Sequence, residues 1–270
     1  MTTDATVTPH GYAYDNDQPS ARRHLSALAR ALDDFTIGRL HHLGLAGKRC
    51  LEIGAGGSEI AVWLAAQVGP AGTVVATDLK PRHIGAHPRL TVLRHDITTD
   101  PLPDGPFDLI HARLVLMHLP QREQLLAVLA AALAPGGVLM VEDWHATADA
   151  VVLDAATDDD RDLFTAYQRA VNQRVFQAAG SDPQWSLRLH QQMRLAGLHD
   201  VDTVINAPVW HSGSPGLILA LTAIAEHRDR LRDAGLTDAD LTRVERLLIS
   251  SDGGLVVRGH QLYSVSGRKP

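Results

Sequence analysis

The sequence predicts a doubly wound α/β fold: a seven-stranded, mostly parallel sheet whose last strand is antiparallel, with helices on both faces. Two patterns support this prediction. Between residues 48 and 143, short apolar runs alternate with segments of helical period, which is typical of parallel strands joined by crossover helices. The runs are apolar throughout instead of alternating with polar residues, which indicates strands that are buried on both faces.

The first half of the chain predicts a helical segment followed by five strands. Residues 19–44 have apolar side chains at helical spacing, and Asp34 or Thr36 could cap a second short helix there. The strands and the two helices between them follow at predicted positions 49–53, 60–68 (helix), 73–77, 90–93, 107–111, 121–134 (helix) and 138–141.

The second half predicts inserted helices that cover the sheet. Helical spacing recurs within 147–182, and Asp182-Pro183 predicts the start of a helix that ends near Leu195. Two strands, Val201–Val209 and Gln261–Ser266, flank two further helices at about 215–233 and 238–249. We expect one domain over 1–270, with a helical cap (1–47), a cofactor-binding core (48–146), and lid helices with the final strands (147–270).

Composition excludes several classes of protein. Hydrophobic residues make up 45% and charged residues 21% of the 270, which are globular proportions. The net charge of −6 provides no whole-chain basic footprint for nucleic acid. No apolar run reaches the ~20 residues of a membrane helix, and the N-terminal residues lack a signal pattern. We therefore expect a cytoplasmic protein without membrane or metal sites, and the single Cys50 excludes an intramolecular disulfide.

The most informative segment is the glycine-rich turn EIGAGGSE, from Glu52 to Glu59, between the first strand and a helix. Glycines let the backbone approach a ligand, and the helix N-terminus offers N–H groups. A dinucleotide fingerprint requires its third glycine at position 59, where a carboxylate would repel a pyrophosphate. Glu52 and Glu59 instead favour a ligand with a cationic end. S-adenosylmethionine has an α-ammonium, a sulfonium and no phosphate.

Two more acids follow later strands. Asp78 ends the second strand in VVATD, where a carboxylate can accept both ribose hydroxyls. Asp96 follows the third strand in HDI, where a carboxylate could accept from an adenine amino group.

These motifs, with FDLIHARLVLMHLP and LAPGGVLMVED, resemble class I S-adenosylmethionine-dependent methyltransferases. They are most similar to bacterial small-molecule methyltransferases of natural-product pathways such as antibiotic biosynthesis. The resemblance covers residues 48–143 and implies a Rossmann-like fold with S-adenosylmethionine as the cofactor. It implies cofactor contacts for the turn residues Glu52, Gly54, Ala55 and Gly56, for Asp78 and Leu79 at the ribose, for Asp96 and Ile97 at the adenine, and for His111 at the methionine moiety.

The resemblance also implies that helices before the first strand fold over the cofactor. Tyr12 and Tyr14 are then candidates to contact its methionine end. The sequence departs from the family at Ser58, where a third loop glycine is common. Arg113 is expected to make a structural ion pair instead of a substrate contact.

The implied reaction is methyl transfer to oxygen or nitrogen of a small molecule. This in-line displacement has a good, neutral leaving group, so positioning can supply much of the catalysis. A base is needed only if the acceptor must lose a proton, and histidine suits a hydroxyl acceptor. The candidate bases are His111, His118, His145 and His211. We favour His145, which follows Trp144 at the mouth of the sheet, and then His118.

Two other functions stay open. An NAD(P)-dependent oxidoreductase would share the fold, although Glu59 argues against it. The departure at Ser58 also leaves open a protein that binds S-adenosylmethionine without methyl transfer, in a regulatory or cyclase-like role. The sequence does not name the acceptor or the methylated atom, and it leaves open a homodimer that covers apolar surface of the lid.

Overall fold

The computed structural model describes residues 21–57, 59–146, 151–250 and 254–270. Within these ranges the chain forms ten strands: β1 Arg49–Ile53, β2 Thr73–Asp78, β3 Leu90–Arg94, β4 Phe107–Arg113, β5 Leu133–His145, β6 Val152–Asp154, β7 His199–Asn206, β8 Val209–His211, β9 Val256–Arg258 and β10 Gln261–Arg268. The same ranges contain seven α-helices: α1 Ala21–His41, α2 Glu59–Gln67, α3 Arg122–Ala131, α4 Asp158–Ala170, α5 Ser186–Leu195, α6 Pro215–Asp233 and α7 Asp238–Ile249.

The central sheet has seven strands in the order β3-β2-β1-β4-β5-β10-β7. The first five pair in parallel, and β10 is antiparallel to both β5 and β7. The predicted seven-stranded sheet with an antiparallel last strand is therefore confirmed. Because β10 lies between β5 and β7, the antiparallel strand is internal to the sheet.

Helices cover both faces of the sheet. Successive strand residues point to opposite sides, so each strand contributes side chains to both helical layers. Leu51 and Ile110 face a core that includes Leu129 of α3 and Leu189 of α5. Their neighbours Cys50 and Leu109 face the other core, with Leu40 of α1 and Leu64 of α2. Since the strands are buried on both faces, they read as continuous apolar runs in the sequence.

A third core holds the lid together. It packs α4, α6 and α7 against a small sheet with the strand order β6-β9-β8, through buried residues such as Phe164, Ile224, Leu241 and Val257. The small sheet was not predicted, since its strands are three residues long and carry little periodicity. No helix within the described ranges has both the length and the apolar character to cross a membrane.

The structure differs from the predicted elements at three places. α1 is continuous through Asp34 and Thr36, so no second helix begins there. The single strand predicted at 201–209 is two strands, β7 and β8, separated by Ala207 and Pro208. Proline has no N–H to donate to a ladder, which favours the break at this point.

The third difference is the start of α5. Asp182 accepts from the Gln184 N–H at 2.9 Å, as a cap would, but the chain makes a turn there and the helix begins at Ser186.

Candidate active site

The turn after β1 requires glycine at two positions. Gly54 and Gly56 have φ of +65° and +55°, in the left-handed region that side chains disfavour. A Cβ on Gly54 would lie 2.5 Å from Cγ2 of Val115. The Ala55 N–H donates to the Thr77 carbonyl at 3.0 Å, which attaches the turn to the end of β2.

Asp78 lies against this turn. One oxygen of its half-buried carboxylate accepts from the Gly56 N–H at 2.9 Å, and the other accepts from the Lys80 N–H at 2.8 Å. The fold thus brings together residues that are 22 positions apart in the chain. Leu79 follows at the same end of β2.

Asp96 lies beyond β3, next to the end of β2. The His95 N–H donates to the Asp78 carbonyl at 3.0 Å, so the two predicted acids follow adjacent strand ends. The Asp96 carboxylate accepts from the Thr98 N–H at 2.9 Å and from the Thr98 hydroxyl at 2.6 Å. Asp96 therefore also forms its own turn, and the half-buried Ile97 packs against the core.

Beneath the turn, His111 lies between two buried carboxylates on the sheet face that α1 covers. Its Nδ1 is 2.7 Å from an oxygen of Glu52, and its Nε2 is 3.4 Å from an oxygen of Glu142. Burial alone would lower the pKa of His111, but the charge of Glu52 and the hydrogen bonds to both carboxylates outweigh burial and raise the pKa to about 9. The imidazole is therefore charged at neutral pH.

The same network holds α1 on the sheet. The Thr36 hydroxyl donates to Oε2 of Glu142 at 2.5 Å and accepts from Arg113 at 2.9 Å. Arg113 also pairs with Asp33 at 2.7 Å. The structural ion pair expected of Arg113 is present, and both of its α1 partners lie where a helix break was predicted.

A cavity of about 70 Å³ lies under the lid. It is lined by aromatic, aliphatic and histidine side chains: His24, Leu28, Leu114, His118, Trp144, Tyr167, Gln168, Val171, Phe176, Trp210, Leu217, Leu219, Ala220, Ala223 and His260, with Gly216. These residues come from α1, from the segment after β4, from the end of β5, from α4 and the turns after it, from β8, from α6 and from the link between β9 and β10.

The cavity adjoins the glycine turn through two contacts. On α1, Leu25 lies so close to the turn that a Cβ on Gly57 would be 3.1 Å from it, and Leu28, one turn along, lines the cavity. After β4, Leu114 lines the cavity while the next residue, Val115, contacts Gly54. A ligand in the cavity would therefore lie beside a ligand on the turn.

The histidines predicted as bases lie in different places. His118 lines the cavity, with Nδ1 2.9 Å from the Ser181 hydroxyl, and burial, Arg122 and His24 lower its pKa to about 4. His145 is not among the lining residues, and its Nδ1 is 3.2 Å from Oε1 of Gln261. His211 is exposed on β8, and His111 belongs to the buried network.

Sequence reasoning missed His24 and His260, which both line the cavity. Neither belongs to a motif, and His24 reaches the cavity only because α1 packs on α6, nearly two hundred residues away. Tyr12, Tyr14 and Ser58 lie outside the described residues. Within the described part of the chain, no group of three or more His, Cys, Asp or Glu could hold a metal ion.

Comparison with known proteins identifies the family. A family model described as a methyltransferase domain matches residues 22–202. Two relatives from Strobilurus tenacellus, methyltransferases str3 and str2, are 37% and 38% identical over 100 residues. Each alignment covers 36% of this chain and 35% of the relative, so only about a third of the relatives' length is matched.

Solved structures share the fold at low identity. Phosphoethanolamine N-methyltransferase 2 from Haemonchus contortus, solved with S-adenosyl-L-methionine, has a TM-score of 0.54 and 16% identity, covering 94% of this chain and 59% of that one. A protein from Bordetella parapertussis has a TM-score of 0.53 and 15% identity, covering 90% and 68%. Because the family model spans most of the chain, the chain belongs to the methyltransferase domain family.

Proposed function

We propose that this chain is an S-adenosylmethionine-dependent methyltransferase that transfers the methyl group to an oxygen or nitrogen atom of a small molecule. The observation that carries the proposal is the cavity beside the glycine turn, enclosed by α1, α6 and the segments after β4 and β5. Its enclosed, mostly apolar lining suits a small organic molecule, whereas a nucleic acid would need an exposed basic surface.

The turn fits the methyl donor. Gly54 leaves no room for a Cβ, and the Asp78 carboxylate lies against the turn, as a ribose site requires. We assign Glu52, Gly54, Ala55, Gly56 and His111 to the methionine end of the donor. Asp78 and Leu79 would hold the ribose, Asp96 and Ile97 the adenine, and Tyr14 would add a contact from the N-terminal segment.

The bound donor supplies an electrophilic methyl group on a sulfonium. The residues of the chain then hold the acceptor in line and exclude water, since the lid closes the cavity. A base is required only for an acceptor that loses a proton. Of the predicted bases, His118 is favoured by its place in the cavity, and His145 remains a prediction from the sequence.

The organisation proposed for the chain follows from these roles. Residues 1–47 act as a cap, 48–146 bind the donor, and 147–270 form the lid and the last strands. We further propose that the protein acts in the cytoplasm on a secondary metabolite, as in antibiotic biosynthesis, with a homodimer as one possible assembly.

Calorimetry and a transfer assay test the proposal. S-adenosylhomocysteine should bind the wild-type chain, whereas NADH and NADPH should not. With radiolabelled S-adenosylmethionine, label should move to members of a panel of hydroxylated and amino-bearing aromatic compounds. Binding of the nicotinamide cofactors in preference to S-adenosylhomocysteine would overturn the donor assignment. Binding without transfer to any small molecule would favour a regulatory or cyclase-like role instead.

A further inference from the structure

A buried network of charged side chains lies below the glycine turn. It comprises three carboxylates and two cations: Asp33, Glu52, Glu142, His111 and Arg113. His111 contacts Glu52 at 2.7 Å and Glu142 at 3.4 Å. Arg113 pairs with Asp33 at 2.7 Å. None of the five side chains is more than 15% exposed, so salt and solvent screen their charges weakly.

At neutral pH the network carries a net negative charge. Burial favours the neutral form of His111, but the charge of Glu52 and the hydrogen bonds to both carboxylates raise its pKa to about 9. Burial also opposes ionisation of Glu142, but His111 and Arg113 outweigh burial and lower its pKa. Burial raises the pKa of Asp33, and the guanidinium of Arg113 opposes that rise and stabilises the carboxylate. Three carboxylates facing two cations leave one negative charge.

One carboxylate oxygen of this network is left without a partner. Oε1 of Glu142 is fully buried and meets no hydrogen-bond donor in the described part of the chain. Glu59 at the start of α2 adds a further negative charge, which acts on Asp33. Because a buried carboxylate without compensation is costly, native proteins pair such groups with a cation. The network therefore indicates a cation that comes from a ligand.

The network lies where a donor on the turn would place its methionine end. Glu52 is two residues before Gly54, and the sheet register sets Glu52 beside His111 and Arg113 beside Glu142. These pairs lie toward the carboxyl ends of β1, β4 and β5, the edge at which ligands bind in open parallel sheets. A donor whose methionine end is at Glu52 and Gly54, as proposed above, is thus next to the network.

The donor and its product differ in charge at one atom. S-adenosylmethionine has an ammonium, a carboxylate and a sulfonium, so its net charge is positive. S-adenosylhomocysteine has a neutral thioether in place of the sulfonium and carries no net charge. Two opposite unit charges about 10 Å apart, at an effective dielectric constant of about 20, attract each other enough to change affinity by about tenfold or more.

We propose that this network is the counter-charge for the donor sulfonium, so that the chain binds S-adenosylmethionine more tightly than S-adenosylhomocysteine and releases the product because the charge on sulfur is lost. The inference rests on the proposed function and adds the step that follows transfer. Asp33 and Glu142 act through space on the charge of the ligand, without touching the reacting atoms.

The charge on sulfur disappears during the reaction itself. The acceptor atom bonds the methyl carbon as the methyl–sulfur bond breaks with its electron pair on sulfur. The positive charge passes to the acceptor atom and leaves with its proton, or stays on an acceptor that has no proton to lose. The network then faces a neutral thioether, which it no longer attracts.

The first experiment compares three ligands by isothermal titration calorimetry on the full chain at about pH 7. S-adenosylmethionine should bind about tenfold or more tightly than S-adenosylhomocysteine. Sinefungin, which carries an ammonium group on carbon where the donor has its methyl sulfonium, should bind like the donor. A preference shared by two different cationic groups separates electrostatic attraction from contact with the methyl group.

The second experiment removes one negative charge at a time. Glu142→Gln and Asp33→Asn preserve the size of the side chain and an oxygen that can accept from Thr36 or Arg113. In each variant the dissociation constant of S-adenosylhomocysteine should be about threefold or less above that of S-adenosylmethionine, instead of about tenfold. A general loosening of the turn would weaken both ligands alike and leave this ratio unchanged. Asp33→Asn, at the edge of the network, keeps the test informative if Glu142→Gln does not fold.

Asp160→Asn is the matched control. Asp160 is also a nearly buried carboxylate, 10% exposed, and it pairs with Arg243 at 2.8 Å, but it lies on α4 in the lid. Its replacement removes the same charge from the chain as Asp33→Asn does. The ratio of the two dissociation constants should stay at the wild-type value.

The outcomes separate the two proposals. Equal affinities of the wild type for S-adenosylmethionine and S-adenosylhomocysteine, or sinefungin binding as weakly as the product, would overturn the role as counter-charge. The wild-type ratio in both network variants, or a lowered ratio in Asp160→Asn as well, would do the same. If neither S-adenosylmethionine nor S-adenosylhomocysteine binds the folded wild-type chain, the proposed function itself fails.

Discussion

Gly54 has the least room for a side chain among the three glycines described in the turn after β1. A Cβ at this position would clash with Val115, and its φ of +65° disfavours any side chain. We predict that Gly54→Ala lowers stability by about 1–3 kcal/mol and weakens S-adenosylhomocysteine binding by about tenfold or more. Calorimetry and urea denaturation measure the two effects.

Gly136 supplies a matched control for this prediction. It also has a positive φ, of +75°, but nothing lies within 4 Å of the Cβ that alanine would add. Gly136→Ala should cost only backbone strain, about 1 kcal/mol, without affecting ligand affinity. Similar affinity losses in the two variants would show that the Gly54 turn is not the donor site.

His111 compensates the charges of two buried acids. His111→Gln removes the positive charge and leaves Glu52 and Glu142 facing each other below the turn. We predict a loss of about 3–5 kcal/mol in the free energy of unfolding, as found when one partner of a buried ion pair is removed. Urea denaturation measures the loss, and His42→Gln on the exposed end of α1 should have almost no effect. A loss similar to that of the control would contradict a charged His111.

Single residues near the turn could be predicted because their signals are local in the sequence. Gly54 and Asp78 follow strand ends in short motifs, and the fold brings them together. Glu52 was predicted as an acid for a cationic ligand, and the structure also pairs it with His111 across β1 and β4, a contact that the sequence did not indicate. His24 could not be predicted, because its contact with Thr222 spans 198 residues.

One hydroxyl of α1 bonds to two strands of the sheet. Thr36 connects Glu142 of β5 to Arg113 of β4, so the helix and the strands share a buried hydrogen-bond network. We predict that Thr36→Val lowers stability by about 1–3 kcal/mol and speeds hydrogen exchange throughout α1. Donor affinity should also fall, since Leu25 of this helix contacts the turn. Mass spectrometry of exchanged peptides gives the measurement.

Thr242→Val in α7 is the matched control. Its hydroxyl donates at 2.8 Å only to the preceding turn of its own exposed helix, so we expect no change in α1 exchange. If Thr36→Val left α1 as protected as the wild type, the network would not be what holds this helix.

The predicted helix break in α1 shows why elements could be predicted better than their ends. Asp and Thr favour caps because their side chains bond nearby backbone groups. Here the Thr36 side chain bonds Glu142 and Arg113 instead, so tertiary contacts replace the predicted cap and the helix continues. β8 and β9 were missed for a related reason, since three-residue strands owe their structure to packing in the lid.

Opposed titrations should give the molecule a stability optimum slightly below neutral pH. The pKa values of His24, His118 and His260 are lowered to about 4. Their contribution to the free energy of unfolding is therefore lost as pH falls from about 6.5 toward 4. His111 has a pKa raised to about 9, and its contribution is lost as pH rises from about 6.5 through 9. Burial raises the pKa of Asp143 from 3.8 to about 8, so its contribution to stability is lost progressively as pH rises from about 3.8 through 8, which adds to the loss above neutral pH.

Scanning calorimetry across pH tests this balance. The Tm should be highest near pH 6.5 and fall on both sides, and the alkaline fall should be shallower in His111→Gln, which lacks one of the two groups responsible. A Tm that is constant from neutral pH to beyond about 9 would contradict a charged His111 and a protonated Asp143 in the folded state.

The architecture of the main sheet could be predicted from the alternation of strands and helices, down to the direction of its last strand. The arrangement of the lid could not, because α4, α6 and α7 pack through a core that the sequence does not mark by any motif. The cavity proposed for the acceptor is lined by residues from both parts, which is why the sequence indicated the glycine turn but not the residues around the cavity.

Because β10 lies between β5 and β7, the large sheet can be completed only after β10 has been synthesised. β7 is complete in the nascent chain well before residues 261–268 leave the ribosome, yet its ladder partner in the large sheet is β10. Until then β5 exposes a free edge, and β7 has no partner strand in the large sheet. A chaperone that shields this edge would act during translation of the last lid helices, and slowing translation there would lengthen the time the chain is open to aggregation.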